Sequence, residues 1–190
     1  MTFTDSRAVH ETREDRRICN KASLLEVILM AIKPGKEKMY SPDFPDRDDV
    51  ILWDIRKIED GTIARVEFLS QNSPNRQGVS LSTDKGIAVG FGGPDEIHPG
   101  VLVWQDKWPE PTTWKCLTDD GLLSIYNIYD KGSGVRSQMY GSGMIVTEEE
   151  GKLIYHCNDV GVEDVKFDSV VFSLEFITEE ELLREKADSQ

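Results

Sequence analysis

The chain has 190 residues, 30% of them charged, and a formal net charge of −13. That length fits one domain with a substantial core, and the negative field repels phosphate, which argues against free DNA or RNA and against anionic membranes as partners. Three cysteines, Cys19, Cys116 and Cys157, stand at no metal-like spacing, and Met1-Thr2-Phe3-Thr4-Asp5 is no basic stretch leading into an apolar run. The reading is therefore a cytoplasmic protein with reduced thiols and without a membrane anchor. The acidity is spread along the chain, with small clusters at 148–150 and 179–181, as a solvated surface requires.

Residues 1–22 read as a flexible arm, in which Arg7, Arg13, Arg16 and Arg17 face Asp5, Glu11, Glu14 and Asp15 with few apolar anchors. Residues 23–190 read as a single β-rich domain. Ser23 and Glu26 form a reciprocal cap, and Leu24, Leu25, Ile28, Leu29 and Ile32 follow at helical spacing until Pro34-Gly35 stops them, so a helix is expected over 24–33. The segment 40–49 carries two prolines and four aspartates and reads as an irregular loop. Ile51, Trp53 and Ile55 alternate, and 62–69 alternates after Asp60-Gly61, which predicts a hairpin. Short strands are expected at 79–81 and 86–91 around a turn at 83–86. Pro109 and Pro111 follow 101–108, and three tryptophans, Trp104, Trp108 and Trp114, fall close together there.

The run from Gly121 to Phe176 holds the clearest strands, at 122–129, 143–147, 152–158 and 170–176, with glycine-bearing or acidic turns at 130–134 and 148–151. In the last of them Val170, Phe172, Leu174 and Phe176 share one face. Thr178 and Glu181 supply a second cap, for a short helix over 179–187. The fold class is mainly β: an antiparallel sandwich or a small closed barrel with an N-terminal helix and a short C-terminal helix. In its turn-rich pattern the run resembles a lectin-like or calycin-like β-domain, an analogy of fold that does not carry function.

Few residues announce chemistry. Gly90-Phe-Gly-Gly-Pro94 and Gly132-Ser-Gly134 lack the strand-to-helix setting of a phosphate loop and read as turns. His156 and Cys157 are strand neighbours that point to opposite faces, so they make no dyad. His98 and His156 with carboxylates are the minimum for a zinc site, and no spacing marks one. Asn158, Asp159, Asp164 and Asp168 offer oxygen ligands of the calcium type in a loop between strands, with an Asx turn and solvated carboxylates as the plainer reading; no cofactor is otherwise implied. The aromatic residues Trp104, Trp108, Trp114, Tyr126, Tyr129, Tyr140 and Tyr155, with Arg136 and Gln138, can line a face that binds flat apolar rings, sugars or a peptide, or can fill the core.

These features point first to a non-catalytic binding domain for a small apolar or aromatic ligand or a basic protein partner, acting through an aromatic face and an acidic surface. The alternative is a small barrel isomerase or cyclase without metal, with Tyr126, Tyr129, Arg136 and His156 as its polar groups around an enclosed cavity. A third reading, resting on charge alone, is an acidic inhibitor or immunity-type protein. The oligomeric state leaves no trace in the pattern.

Overall fold

Alternating Ile, Val, Leu and aromatic residues between glycine-bearing turns build strands wherever the pattern places them, and the strands close on themselves. A computed structural model describes residues 36–89, 96–163 and 165–188. The arm at 1–22 and the helix expected over 24–33 lie outside these residues. The described strands are β1 (Met39–Tyr40), β2 (Ile51–Lys57), β3 (Ile63–Gln71), β4 (Arg76–Val89), β5 (Glu96–Trp104), β6 (Thr112–Leu117), β7 (Leu122–Asp130), β8 (Val135–Arg136), β9 (Gly143–Glu149), β10 (Lys152–Asn158) and β11 (Val170–Ile177). One helix, α1 (Glu179–Asp188), follows them.

All pairings are antiparallel, and eight strands form a closed ring in the order β2, β9, β10, β11, β3, β6, β4, β7. The ring shuts because β7 also pairs with β2, from Asp54↔Ile125 to Lys57↔Leu122. Strands β1, β5 and β8 are added to the outer edges of β2, β4 and β7. The fold is thus mainly β and a closed barrel. Among the described residues no helix is long and apolar enough to cross a membrane.

Two local expectations change. The hairpin expected through Asp60-Gly61 does not form: β3 pairs with β6 and β2 with β7, so both lie along the same partner path. The connection stays engaged with that path, since Gly61 N donates to Cys116 O at 2.9 Å and Thr118 N donates to Asp60 Oδ1 at 2.9 Å. Likewise the turn expected at 83–86 is an irregularity inside the single strand β4. There the register with β5 shifts between Ser82 and Ile87, the Gly86 backbone takes φ +100°, and the Thr83 hydroxyl bridges Gly86 and Leu117. A bulge holds the extra residues without ending the strand. The hairpin of β9 and β10 and the strand β11 stand where the sequence put them.

The interior is filled by side chains. Tyr155 and Phe172 stack with ring centroids 4.7 Å apart and planes 5° from parallel, and Phe68 tilts against Phe172 at 6.2 Å. Leu81, Leu123, Ile125, Val66, Leu174, Met144 and Cys157 are buried with them. Both faces of β7 are covered, which is why its sequence is almost continuously apolar. A wholly buried carboxylate, Asp54, sits in the middle of β2; Arg56 Nε at 2.6 Å and the Tyr155 hydroxyl at 2.8 Å donate to its Oδ2, and Lys38 Nζ forms an ion pair with Oδ1 at 3.1 Å. Burial, followed by the Asp54 charge, pushes the Tyr155 phenol well above its ordinary value. It stays a neutral donor.

Helix α1 carries the expected reciprocal cap. Thr178 N donates to Glu181 Oε2 at 2.7 Å, and Glu181 N donates to Thr178 Oγ1 at 3.2 Å. Arg65 ties the helix to the barrel by pairing with Glu175 and Glu185.

Candidate functional site

The site forms where the β7–β8 hairpin meets the loops before β9 and after β10. Asp130 organises the hairpin: its Oδ1 accepts the backbone N–H groups of Gly132, Ser133 and Gly134 at 2.7, 3.0 and 3.0 Å. This carboxylate-filled turn presents Lys131 on its way out and Arg136 on its return. Tyr129, opposite Arg136 in the β7–β8 register and opposite Gln77 in the β4–β7 register, puts its ring at the groove's base. The Lys131 ammonium lies 5.7 Å from the Tyr129 ring centroid, and Arg136 donates to the Ser133 hydroxyl at 3.2 Å.

The opposite wall is apolar. Met139, Tyr140 and Val160 are 44%, 64% and 40% exposed, and with Tyr129, Lys131, Ser133 and Arg136 they line an open groove of about 180 Å³. One buried side chain joins the two loops that carry this wall. Asn158 Nδ2 donates to Gly141 O at 2.5 Å and to Gly161 O at 2.8 Å, while Gly161 N donates to Tyr140 O at 3.2 Å. Gly141 has φ +76° and any Cβ there would collide with the Gly161 backbone, so only glycine fits. Asp43 Oδ2 accepts the Gly141 N–H at 2.8 Å from outside. The wall is therefore set before any ligand arrives.

Behind it lies a polar plug. Asp159 Oδ2 accepts from Ser73 Oγ at 2.6 Å, Asn75 Nδ2 at 2.8 Å and Gln77 Nε2 at 2.9 Å, and its Oδ1 accepts from Ser169 Oγ at 3.1 Å. Burial would raise this carboxyl, but the four hydrogen bonds outweigh it and hold the pKa below the ordinary aspartate value. Asn127 Nδ2 donates to Asn158 O at 3.1 Å and completes the plug. Tyr129 packs nearby, its phenol raised by burial first and then by the Asp159 charge, against the lowering effect of Arg136.

The structure distributes the residues singled out in the sequence as follows. Tyr129, Arg136 and Tyr140 come together in the groove. Tyr126 lies three residues from Tyr129 and turns to the other face of β7, where it packs on Trp53 at 4.9 Å, and Trp53 Nε1 donates to Ser124 Oγ. Tyr155 is in the barrel core. Trp104 is buried beneath the Arg76 guanidinium, which stands 4.2 Å from its ring, and buried Trp114 meets half-buried Trp108 edge to face at 5.6 Å. His156 is half-buried on β10 between Ile145 and Val171, away from the groove residues, and neighbouring Cys157 is wholly buried. Burial pushes the Cys116 thiol up to about 12 and that of Cys157 higher still.

Of the proposed calcium ligands, Asn158 and Asp159 serve as the staple and the plug, Asp168 Oδ2 accepts from Asn72 Nδ2 at 3.4 Å, and Asp164 lies outside the described residues. No group of three or more His, Cys, Asp or Glu side chains among the described residues is placed to hold a metal ion. Lys131, Ser133, Met139 and Val160 are the groove residues that sequence reasoning passed over as site residues. Their signal was present in the glycines that bracket them, Gly132, Gly134, Gly141 and Gly161, all at positive φ.

Comparison with models of known protein families, with curated proteins and with solved structures finds no match for this chain. Fold and site geometry therefore carry the functional reading.

Proposed function

We propose that the protein is a non-catalytic binding domain that engages its partner on the surface, at the groove between the β7–β8 hairpin and the loops bearing Tyr140 and Val160. The observation that carries this reading is the contrast between a barrel interior packed with Tyr155, Phe172, Leu81 and Ile125 and an exposed wall of Met139, Tyr140 and Val160 held rigid by Asn158. A partner meets a preformed surface there, with an aromatic ring as its anchor. The isomerase or cyclase alternative calls for Tyr126, Tyr129, Arg136 and His156 around one enclosed space, whereas Tyr129 and Arg136 line an open groove, Tyr126 turns to the other face of β7 and His156 lies on β10.

A site-resolved photo-crosslink tests the proposal. A benzophenone side chain replaces Tyr140 in one protein and Leu69, which is 50% exposed on β3, in a control. The expected outcome is a discrete adduct from position 140 that unmodified protein competes away and the Tyr140→Ala protein does not. Equal adducts from both positions, or an adduct from Leu69 alone, would move the binding surface off the groove.

A further inference from the structure

Resting on that reading of the groove, we infer that its ligand is an acidic, extended peptide segment of a partner protein, with carboxylates at Lys131 and Arg136 and an apolar side chain against Met139, Tyr140 and Val160. The charge pattern comes first. Carboxylates outnumber Lys and Arg by 35 to 22 in this chain, and Arg47, Arg56, Arg65, Arg76, Lys85 and Lys115 each form an ion pair. Arg136 is the one arginine among the described residues without an ion pair, and Lys131, like Lys36, Lys57, Lys107, Lys166 and Lys186, also has none among them; Lys131 faces the Tyr129 ring and Arg136 a serine hydroxyl. The carboxylates that flank the groove are turned to other donors: Asp130 Oδ1 to three backbone amides, Asp159 to four side chains. The groove therefore offers two cations that make no ion pair within the described fold, beside an apolar wall. A ligand carrying carboxylates supplies what both lack.

Shape selects a peptide over a compact anion. The groove is open and holds about 180 Å³, below the roughly 300 Å³ at which pockets begin to enclose a drug-sized molecule. Strand β8 pairs only with β7 among the described residues. Because successive strand residues turn their N–H and C=O groups to opposite edges, one of its two residues presents both groups to the outer side. An extended chain can pair there while its side chains alternate between the cations and the apolar wall. The net charge of −13 opposes the approach of such a peptide, but at about 0.15 M salt that field decays within about 8 Å, so the contacting pairs decide the affinity.

The test is a titration of the full chain, followed in its amide ¹H–¹⁵N spectrum, with three end-blocked hexapeptides taken to about 1 mM: EEFEEL, the basic KKFKKL and the neutral SSFSSL. The inference expects EEFEEL to shift the amides of 129–140 and 158–161 and to bind at least about tenfold more tightly than either other probe. Arg136→Glu and Lys131→Glu, both at exposed positions and expected to keep the folded spectrum, should each weaken that binding about three- to tenfold. If KKFKKL or SSFSSL binds the same amides as tightly as EEFEEL, the acidic ligand is refuted and the groove stands. If none of the probes shifts those amides, the groove and its ligand fall together.

Discussion

Asp159 is the place where a single atom change has the most calculable effect. Its Oδ2 takes three side-chain donors and its Oδ1 a fourth, and one of the donors, Gln77, is fully buried with its own Oε1 lacking a partner. In Asp159→Asn the amide oxygen can replace Oδ2 and keep the same three donors, while the new NH₂ meets the Ser169 hydroxyl, which can accept. Three charge-assisted bonds then become neutral ones, and at about 1 kcal/mol lost for each the cost is about 2–3 kcal/mol. Asp159→Ala instead leaves the Gln77 amide buried without an acceptor and lets water reach the others, for a cost of about 3–5 kcal/mol.

The sign with pH follows from the direction of the shift. The folded pKa is depressed below the ordinary 3.8, so the stabilisation is fully present above that value and disappears as pH falls through the folded pKa. Urea unfolding, followed by tryptophan fluorescence from pH 7 downward, should show the wild-type chain converging on Asp159→Asn as pH falls below 3.8, with the slope in urea unchanged. A gap that stays constant from pH 7 to that range, or an Asp159→Asn protein as stable as wild type at pH 7, would refute the assignment of this carboxylate as the plug.

Three further outcomes are expected. Tyr155→Phe keeps the stack on Phe172 but removes the hydroxyl from buried Asp54, and should lower stability by about 1–3 kcal/mol in the same urea assay. Gly141→Ala combines a left-handed backbone with a collision against Gly161; a loss of about 3 kcal/mol or more is expected, together with shifted amides at 139–142 and 158–161. Burial keeps the Cys116 and Cys157 thiols protonated, so peptide mapping after iodoacetamide should find both unmodified at pH 8 in the native protein and modified in denaturant.

The strands of the second half were legible because their signals are local. Val170, Phe172 and Leu174 alternate with Val171, Ser173 and Glu175 on β11, and the acidic turn at 148–151 joins two strands that pair directly. The hairpin through Asp60-Gly61 misled because a turn dipeptide records only that the chain can bend. What decided the outcome was the backbone pairing of Gly61 with Cys116, which no local pattern records. The aromatic residues show the same limit. Tyr126 and Tyr129 have similar sequence surroundings, yet three strand positions separate them and send one to Trp53 and the other to the groove. Asn158 and Asp159 looked like cation ligands because oxygen-rich side chains look alike on paper. Apart from the nearby Gly161 carbonyl, their partners, the amides and hydroxyls of 73–77 and the carbonyl of Gly141, come from distant parts of the chain.

The order of strands around the ring also sets when the barrel can exist during synthesis. Strand β2 is flanked by β9 and β7, and β3 by β11 and β6, so Ile51 finds Met144 and Val66 finds Leu174 only after most of the chain has been made. Until Val170–Ile177 emerges, β3 and β10 each have an edge with no strand to receive, and the ring stays open. Folding of this kind closes late and over long loops. A nascent chain stalled between β10 and β11 would therefore offer two adhesive edges, and chaperone demand should peak over that short stretch of translation.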